Sequence, residues 1–291
     1  MISKFIFTLV IIFLGAIGFA QTEKIFVSNY PLAYFAERIL GEQVYFPDIE
    51  GDPAFWEPSE EELANIQAAE LIILNGATYE KWRFFTSLPE SKVVETANVF
   101  NDHFIYAENE VTHSHGSSGE HSHSGTTFTT WIDFDQASKQ AGAIKDALID
   151  FTIGDATTIS ENFELLKADL SKLDSELLEL TQGYSELPLI GSHPIYQYFA
   201  RRYDLNVKTV HWEPDTYPGE DLWQELETVL ADHPAKWFIW EAEPLAESVA
   251  RLEEMGLNSV VFDPSGNRPS SGDFLTVMQE NIKNLKPVFA Y

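Results

Sequence analysis

The sequence predicts an α/β fold in which two α/β lobes are joined by one long helix. In both halves of the chain, short β-rich runs alternate with amphipathic stretches, which is the pattern of parallel sheets with crossover helices. Between the halves, apolar residues recur at steps of three and four, which predicts one long helix with a single buried face. These residues are Phe163, Leu166, Leu170, Leu173, Leu177 and Leu180. We therefore expect an N-terminal lobe at 21–134, linker helices at 135–183 and a C-terminal lobe at 184–291.

The first lobe is predicted to contain two buried strands with a helix between them. Residues 24–29 (KIFVSN) and 71–76 (LIILNG) are compact apolar runs that end in Asn or Gly. Such runs are typical of parallel strands that are covered on both faces. The helix begins near residue 30, because Pro31 suits a first helical turn and apolar residues follow at helical spacing.

Capping residues predict where two helices begin. Ser59 followed by Glu62 is a capping box, which predicts a helix at 60–69. Thr158 followed by Glu161 has the same spacing and is expected to open the long linker helix. Gly183 is expected just after the end of that helix.

The second lobe repeats the alternation of strands and helices. Strands are predicted at 187–193 (LPLIGSH), 207–212 (VKTVHW), 237–241 (WFIWE) and 259–263 (SVVFD). Helices are predicted at 194–203, 219–231, 244–255 and 272–285. The order of these segments is that of a second parallel sheet.

Charge and cysteine content exclude several classes of function. The 291 residues include 46 acidic and 18 basic side chains, for a net charge of −28, and there is no cysteine. A surface with this much negative charge repels phosphate backbones and anionic lipids. We therefore expect no nucleic-acid partner. The absence of cysteine removes disulfides, thiolate metal sites and thiol nucleophiles.

The first 20 residues are predicted to be a cleavable signal peptide. Lys4 precedes an apolar run, and Gly18 and Ala20 provide the small residues of a cleavage site. The run is shorter than the ~20 residues that a membrane span needs, which disfavours the alternative of an uncleaved anchor. The mature protein is therefore expected in the periplasm, and it is expected to be a monomer.

Three predicted strands of the second lobe end in side chains that can bind a metal ion. His193, Glu241 and Asp263 close the runs at 187–193, 237–241 and 259–263. The carboxyl ends of parallel strands meet at one edge, where α/β proteins bind their ligands. One imidazole and two carboxylates there would suit a divalent cation such as zinc or manganese. The neighbouring Glu243 and His211 are expected to be solvated.

Residues 109–130 are predicted to be a flexible, histidine-rich loop. The segment is rich in Gly, Ser and Thr and has almost no apolar content. Its candidate ligands are His113, His115, His121 and His123, in two His-Ser-His pairs. We expect these imidazoles to collect metal weakly, because closing a mobile chain around an ion costs conformational entropy.

The sequence gives no support for an enzyme. Ser192 and His193 are adjacent in an extended run, so their side chains point to opposite faces, and no G-x-S-x-G motif is present. Phosphate-binding glycine motifs are also missing from the sequence. A binding protein is therefore expected.

At this point the motifs resemble those of the bacterial solute-binding protein 9 family, the zinc and manganese receptors of ABC importers. The resemblance extends over residues 24–289. Its segments are SNYPLAYFAERILGEQV (28–44), DPAFWEPSEEELANIQAAELIILNG (52–76), WIDF (131–134), GSHPIYQYFARRYDL (191–205), FIWEAEP (238–244) and FDPSGN (262–267). The resemblance implies a C-clamp of two lobes around a rigid helix, which holds one metal ion as cargo and delivers it to a permease in the inner membrane. Zinc is expected before manganese.

The resemblance also implies metal ligands from both lobes, and here the first-lobe ligands are replaced. His193 and Asp263 match the second-lobe ligands of the family, and Glu241 matches an acidic position beside the cleft. The two first-lobe histidines are replaced by Ala54 and Thr129, which offer no imidazole nitrogen.

Three outcomes remain open from the sequence. The remaining ligands could bind metal, completed by Glu57, water or a histidine of the 109–130 loop. Alternatively, the cleft could bind an organic solute between aromatic walls formed by Phe55, Trp56, Trp131 and Tyr196. In the third outcome the protein is a periplasmic metal buffer that uses only its histidine-rich loop.

Overall fold

The chain forms two parallel β-sheets, one in each half of the sequence. The computed structural model describes residues 24–49, 51, 53–106, 112–115, 119–122 and 126–290. The signal peptide predicted at 1–20 lies outside these residues. None of the helices in the described part of the chain combines the length and the hydropathy that a bilayer span needs.

In the part of the first lobe that the structure describes, the parallel sheet has three short strands, and two α-helices accompany it. In chain order these are β1 (Ile25–Val27), α1 (Tyr30–Leu40), α2 (Glu60–Ala68), β2 (Leu71–Leu74) and β3 (Val93–Glu95). The strands are parallel in the order β1-β2-β3. The 3-10 helices of this half are Pro53–Phe55, Lys81–Phe85, Glu90–Lys92, Thr96–His103 and Thr130–Ile132.

Both helices of the first lobe begin where the sequence predicts. The Asn29 side chain accepts a hydrogen bond from the Leu32 N–H, and Pro31 lies in the first turn of α1. The predicted capping box of α2 is confirmed, because Ser59 and Glu62 each accept a hydrogen bond from the other's backbone N–H.

Part of the predicted histidine-rich loop is a β-hairpin. Strands β4 (Thr112–His115) and β5 (Gly119–Ser122) pair antiparallel, and His113 lies directly across from His121. The prediction of a flexible loop is therefore wrong for these two segments. Composition alone missed them, because their residues, THSH and GEHS, are mostly not of the types that indicate strands. His123 lies outside the described residues.

The predicted linker at 135–183 consists of two helices, of which the second is the predicted long helix. They are α3 (Phe134–Asp150) and α4 (Ala156–Thr181), and they pack against each other. The expected apolar face of α4 is buried, and this helix contacts both α1 of the first lobe and the C-terminal helix of the second. Its start was wrongly predicted at Thr158. The cap is Asp155, whose carboxylate accepts the Thr158 N–H at 2.9 Å.

The second lobe contains a four-stranded parallel sheet. In chain order its elements are β6 (Pro188–Gly191), α5 (Gln197–Arg202), β7 (Asn206–Thr209), α6 (Glu220–Asp232), β8 (Trp237–Trp240), α7 (Ala246–Glu254), β9 (Asn258–Val261) and α8 (Phe274–Leu285). The strand order is β7-β6-β8-β9. The first strand of this lobe in sequence, β6, is therefore an interior strand with β7 on one side and β8 on the other.

Ion pairs join the long helix α4 to both lobes. Arg38 of α1 contacts Asp169 of α4 at 2.8 Å, and Arg202 of α5 donates to Asp174 of α4 at 2.9 Å. Each pair is partly buried and combines charge with a hydrogen bond, which is the stronger form of such a contact. The helix is thus fixed to both halves of the molecule through polar as well as apolar contacts.

A buried carboxyl group closes the polar end of the first sheet. Glu80 accepts hydrogen bonds from the Ser28 hydroxyl and from the backbone N–H groups of Asn75 and Gly76. These residues follow β1 and β2, so Glu80 satisfies the groups where the strands end. Burial raises the pKa of the Glu80 carboxyl to about 7, although the hydrogen bonds oppose this shift.

We expect Leu166→Ala to destabilise the protein by about 2–5 kcal/mol, because the side chain is fully buried and its removal leaves a cavity. The matched control is Leu165→Ala on the same helix, where the leucine is 63% exposed and the expected loss is below about 1 kcal/mol. Urea unfolding followed by circular dichroism measures both. Equal losses for the two variants would contradict the placement of the helix.

We expect Glu80→Gln to make the protein's stability less dependent on pH. The pKa of this carboxyl is about 7 in the native protein and has its ordinary value of 4.5 in the unfolded chain, so the native state binds the proton more tightly. The free energy of unfolding therefore falls as pH rises from the lower of these values to the higher. Wild type should therefore lose up to roughly 3 kcal/mol relative to the glutamine variant between about pH 5 and about pH 8. Urea unfolding at several pH values tests this. Glu61→Gln, at an exposed position, controls for the change of charge, and a constant difference between Glu80→Gln and wild type would refute the assignment.

Candidate metal centre

His193 follows the central strand of the second sheet and is held there by the backbone. The strand β6 ends at Gly191, and the next N–H, that of Ser192, donates to the Ile239 carbonyl of β8 at 2.8 Å. The His193 side chain is 8% exposed. Gly191 allows the close packing beneath it, because a Cβ atom there would lie 2.8 Å from the Tyr196 ring.

Two further polar residues lie beside His193 on the segment after β7. The Val210 and Trp212 N–H groups donate to the Gly191 and Ser192 carbonyls, so this segment continues alongside the chain that leads to His193. Val210 and Trp212 are buried, whereas His211 and Glu213 are only partly buried. The alternation is that of an extended chain with two faces.

The sequence-based expectation that His211 is solvated is therefore wrong, because this residue is partly buried beside His193. Its ring lies 5.8 Å from the His193 ring, centroid to centroid, in an edge-to-face arrangement. Sequence reasoning missed Glu213 altogether. The signal that could have found both is the apolar-polar alternation of Val210 to Glu213 directly after a predicted strand.

His193, Glu213 and Glu241 come together at the carboxyl edge of the second sheet. Glu241 follows the last residue of β8 and is partly buried. One ligand atom from each of the three residues lies within 4.8 Å of the others. His193 Nδ1 and Glu213 Oε1 are 3.6 Å apart. The sequence predicted two members of this group.

Asp263 lies at the same edge, but it does not belong to this group of three. Its carboxylate accepts the Ser265 N–H at 2.6 Å, and its backbone N–H donates to Asn281 of α8 at 3.0 Å. Burial raises the pKa of the Asp263 carboxyl, and the Ser265 N–H opposes that shift. As a metal ligand, Asp263 stays a prediction.

Tyr196 lies buried near both Glu241 and Asp263. Burial raises the pKa of its hydroxyl well above the usual value, and the negative charges of these two carboxylates add to the effect. The neutral hydroxyl donates a hydrogen bond to the Phe262 carbonyl at 3.1 Å. Tyr196 is therefore packed inside the second lobe, against the residues that form this edge of the sheet.

The first lobe meets the second through the loop that follows Asp263. The Trp131 indole N–H donates to the Pro264 carbonyl at 2.7 Å, and the Tyr30 N–H donates to the Gly266 carbonyl at 3.1 Å. Ala54 and Thr129, the positions where the family resemblance implies histidines, are 3% and 4% exposed. Both side chains are packed into the first lobe.

The four aromatic residues that could have lined a site for an organic solute make other contacts within the protein. Trp131 and Tyr196 are buried, and each donates its polar hydrogen to a backbone carbonyl. Trp56 packs against Phe26 and Trp82. Phe55 is covered by Lys81, whose Nζ lies 4.1 Å from the centre of the ring. These rings leave little apolar surface for an organic solute.

The three converging side chains offer one nitrogen and two carboxylate oxygens. This donor set suits a borderline divalent cation of the zinc or manganese class and does not suit a soft monovalent ion, since sulfur is absent from the group. Two acidic groups so close together also repel each other, and a bound cation would relieve that repulsion.

The chain matches known proteins over nearly its whole described length. Residues 25–288 match the family model of ZnuA, described as zinc-uptake complex component A, periplasmic. The chain is 22% identical over 280 residues to the zinc-binding lipoprotein AdcA of Streptococcus pneumoniae, covering 90% of this chain and 55% of AdcA. It is 22% identical over 278 residues to the high-affinity zinc uptake system protein ZnuA of Bacillus subtilis, covering 88% and 84% respectively. The chain thus spans about half the length of AdcA.

Solved structures have the same fold. Zn(II)-bound AdcA of Streptococcus pneumoniae superposes with a TM-score of 0.77 at 19% identity, covering 93% of this chain and 58% of that one. FpvC of Pseudomonas aeruginosa, in complex with Mn2+, has a TM-score of 0.72 at 17% identity, covering 93% and 99%. These superpositions confirm the predicted architecture of two α/β lobes. Together with the match over residues 25–288, they confirm the resemblance inferred from the sequence: the chain belongs to the ZnuA family of metal-uptake solute-binding proteins, whose members are not enzymes.

Proposed function

We propose that the protein captures a divalent metal ion, zinc in preference to manganese, and delivers it to the permease of an ABC importer. The observation that carries this proposal is the convergence of His193, Glu213 and Glu241 at the carboxyl edge of the second sheet, with ligand atoms within 4.8 Å. Asp263, at the next strand end, is a further candidate donor. Family membership supports the same role.

The electrostatics of the edge favour a doubly charged cargo. Two partly buried carboxylates within a few ångströms repel each other, and burial weakens the screening by water. A divalent cation turns this repulsion into attraction. The net charge of −28 also raises the local concentration of cations around the protein.

The donor set favours zinc. At a site of nitrogen and oxygen donors, affinity for divalent ions rises from manganese towards zinc, and an imidazole suits zinc well. The curated relatives carry zinc in their names, whereas FpvC was solved with manganese. Both metals are therefore compatible with the fold, and the imidazole of His193 supports zinc as the cargo.

Export and delivery complete the proposal. The predicted signal peptide at 1–20 would direct the chain to the periplasm, where the monomeric protein would load its ion and dock on an inner-membrane permease. The family description names a periplasmic component of an uptake complex, which supports this arrangement. No catalytic step is required, because the ion leaves the protein chemically unchanged.

We expect His193→Ala to weaken zinc binding by about 100-fold or more, because it removes the nitrogen donor at the centre of the group. Even residues that only orient a metal ligand cost about 10–100-fold when changed. Competition with a chromophoric chelator measures the affinity. His115→Ala, on strand β4, is the matched control and should change the affinity by less than about threefold.

Deletion of residues 112–124 distinguishes the proposed receptor function from that of a metal buffer. A receptor that binds at the sheet edge keeps its tight site after the deletion, whereas a protein that binds only through its histidine-rich segment loses it. Loss of all zinc binding in the deleted protein, with His193→Ala unaffected, would overturn the proposed receptor function.

We expect the protein to retain zinc over manganese by at least about tenfold when both ions compete, as the ligand preference of imidazole and the order of divalent affinities require. Equilibrium dialysis against equal concentrations of the two ions, followed by elemental analysis, measures the ratio. Retention of manganese in equal or greater amount would contradict the assignment of zinc as cargo.

A further inference from the structure

We infer that the second lobe alone holds the metal ion, with Glu213 as a ligand beside His193 and Glu241 and with His211 as the fourth donor. This inference rests on the proposed function, since it names the ligands of the proposed cargo. It departs from the sequence-based expectation in two ways. Glu213 takes the place expected for Asp263, and no ligand comes from the first lobe.

The strand order of the second sheet determines which residues can meet. The chain that carries His193 leaves the central strand β6, with β7 on one side and β8 on the other. Glu213 follows β7 and Glu241 follows β8, so the two carboxylates flank the imidazole, each about one strand spacing away. Asp263 follows β9, whose axis lies two strand spacings, roughly 9–10 Å, from that of β6, and it is not among the three residues whose ligand atoms converge.

The spacing of the atoms is that of ligands around an ion. His193 Nδ1 and Glu213 Oε1 are 3.6 Å apart, beyond the ~2.7–3.2 Å of a good hydrogen bond. Two donors on one tetrahedral zinc ion, each about 2.0–2.1 Å from it, are about 3.3–3.4 Å apart. The pair therefore needs only a small adjustment to share zinc.

His211 is placed to complete a tetrahedral site. It lies two residues before Glu213 on an extended segment, so the two side chains share a face. Its ring centroid is 5.8 Å from that of His193. Two imidazoles that bind one zinc ion at tetrahedral angles have centroids about 5 Å apart, given zinc-nitrogen distances of about 2.0–2.1 Å. His211 is not among the three residues whose ligand atoms converge, so its side chain must turn to bring a nitrogen to the ion.

The first lobe has no comparable donors at the matching positions. Ala54 and Thr129 are buried and carry no imidazole. The polar groups at the end of the first sheet bond one another, as Glu80 accepts from Ser28 and Asn75 and as Gln140 donates to Asn75 at 3.0 Å. That edge is a closed network. Among the described residues, these positions of the first lobe therefore offer no ligand, and the group of three lies entirely in the second lobe.

Single substitutions of carboxylates test this ligand set in the full-length protein. We expect Glu213→Gln to weaken zinc binding by at least about tenfold and Asp263→Asn to weaken it by less than about threefold, as measured by chelator competition. Glu243→Gln, an exposed acidic residue near Glu241, is the control for charge. The reverse pattern, a large effect of Asp263→Asn with none from Glu213→Gln, would overturn the inference and leave the proposed function intact.

X-ray absorption spectroscopy of the zinc-loaded wild type provides a test that needs no variant to fold. The inferred site contains two imidazoles, those of His193 and His211, and the spectrum should fall to one imidazole in His211→Ala. A spectrum of wild type with a single imidazole would overturn the assignment of His211. If wild type binds no divalent metal in either experiment, the proposed function fails together with the inference.

Discussion

The candidate metal centre depends on the interior position of β6 in the second sheet. Backbone hydrogen bonds continue past the ends of the strands, because Ser192 donates to β8 while Val210 and Trp212 donate to the carbonyls that lead to His193. The loops at this edge are therefore extensions of the sheet. Their backbone polar groups are satisfied, and the donor side chains start from a rigid frame that needs little reorganisation to accept an ion.

The two lobes contribute differently to this frame. At the end of the first sheet, Glu80 and Asn75 belong to a closed network that stabilises the lobe, and the pKa of the Glu80 carboxyl shows how strongly it is desolvated. At the end of the second sheet, polar side chains face one another with net negative charge. Contacts between the lobes include hydrogen bonds to the backbone carbonyls of Pro264 and Gly266 and a side-chain hydrogen bond between Tyr34 and Asp273 at 3.3 Å.

The long helix α4 holds the two lobes in a fixed relative position. Its leucine face is buried, while Asp169 and Asp174 bind arginines from the first and second lobe respectively. Partly buried, hydrogen-bonded ion pairs restrict how far the lobes can turn about the helix. A site whose donors lie in one lobe would then need only small side-chain movements to load or release its cargo.

The sequence by itself determined the fold class, most strands and helices, the start of α1 and the capping box of α2, because these features follow from local periodicity and from hydrogen bonds within a few residues. Local patterns also placed His193 and Glu241 at strand ends. Only the tertiary structure decided which strand ends are neighbours. The order β7-β6-β8-β9 brings Glu213 beside His193 and sets Asp263 one strand farther away, and no local pattern encodes that order. The cap at Asp155 was missed because Thr158 and Glu161 also have the spacing of a capping box. The hairpin of β4 and β5 was missed because its sequence has no local strand pattern.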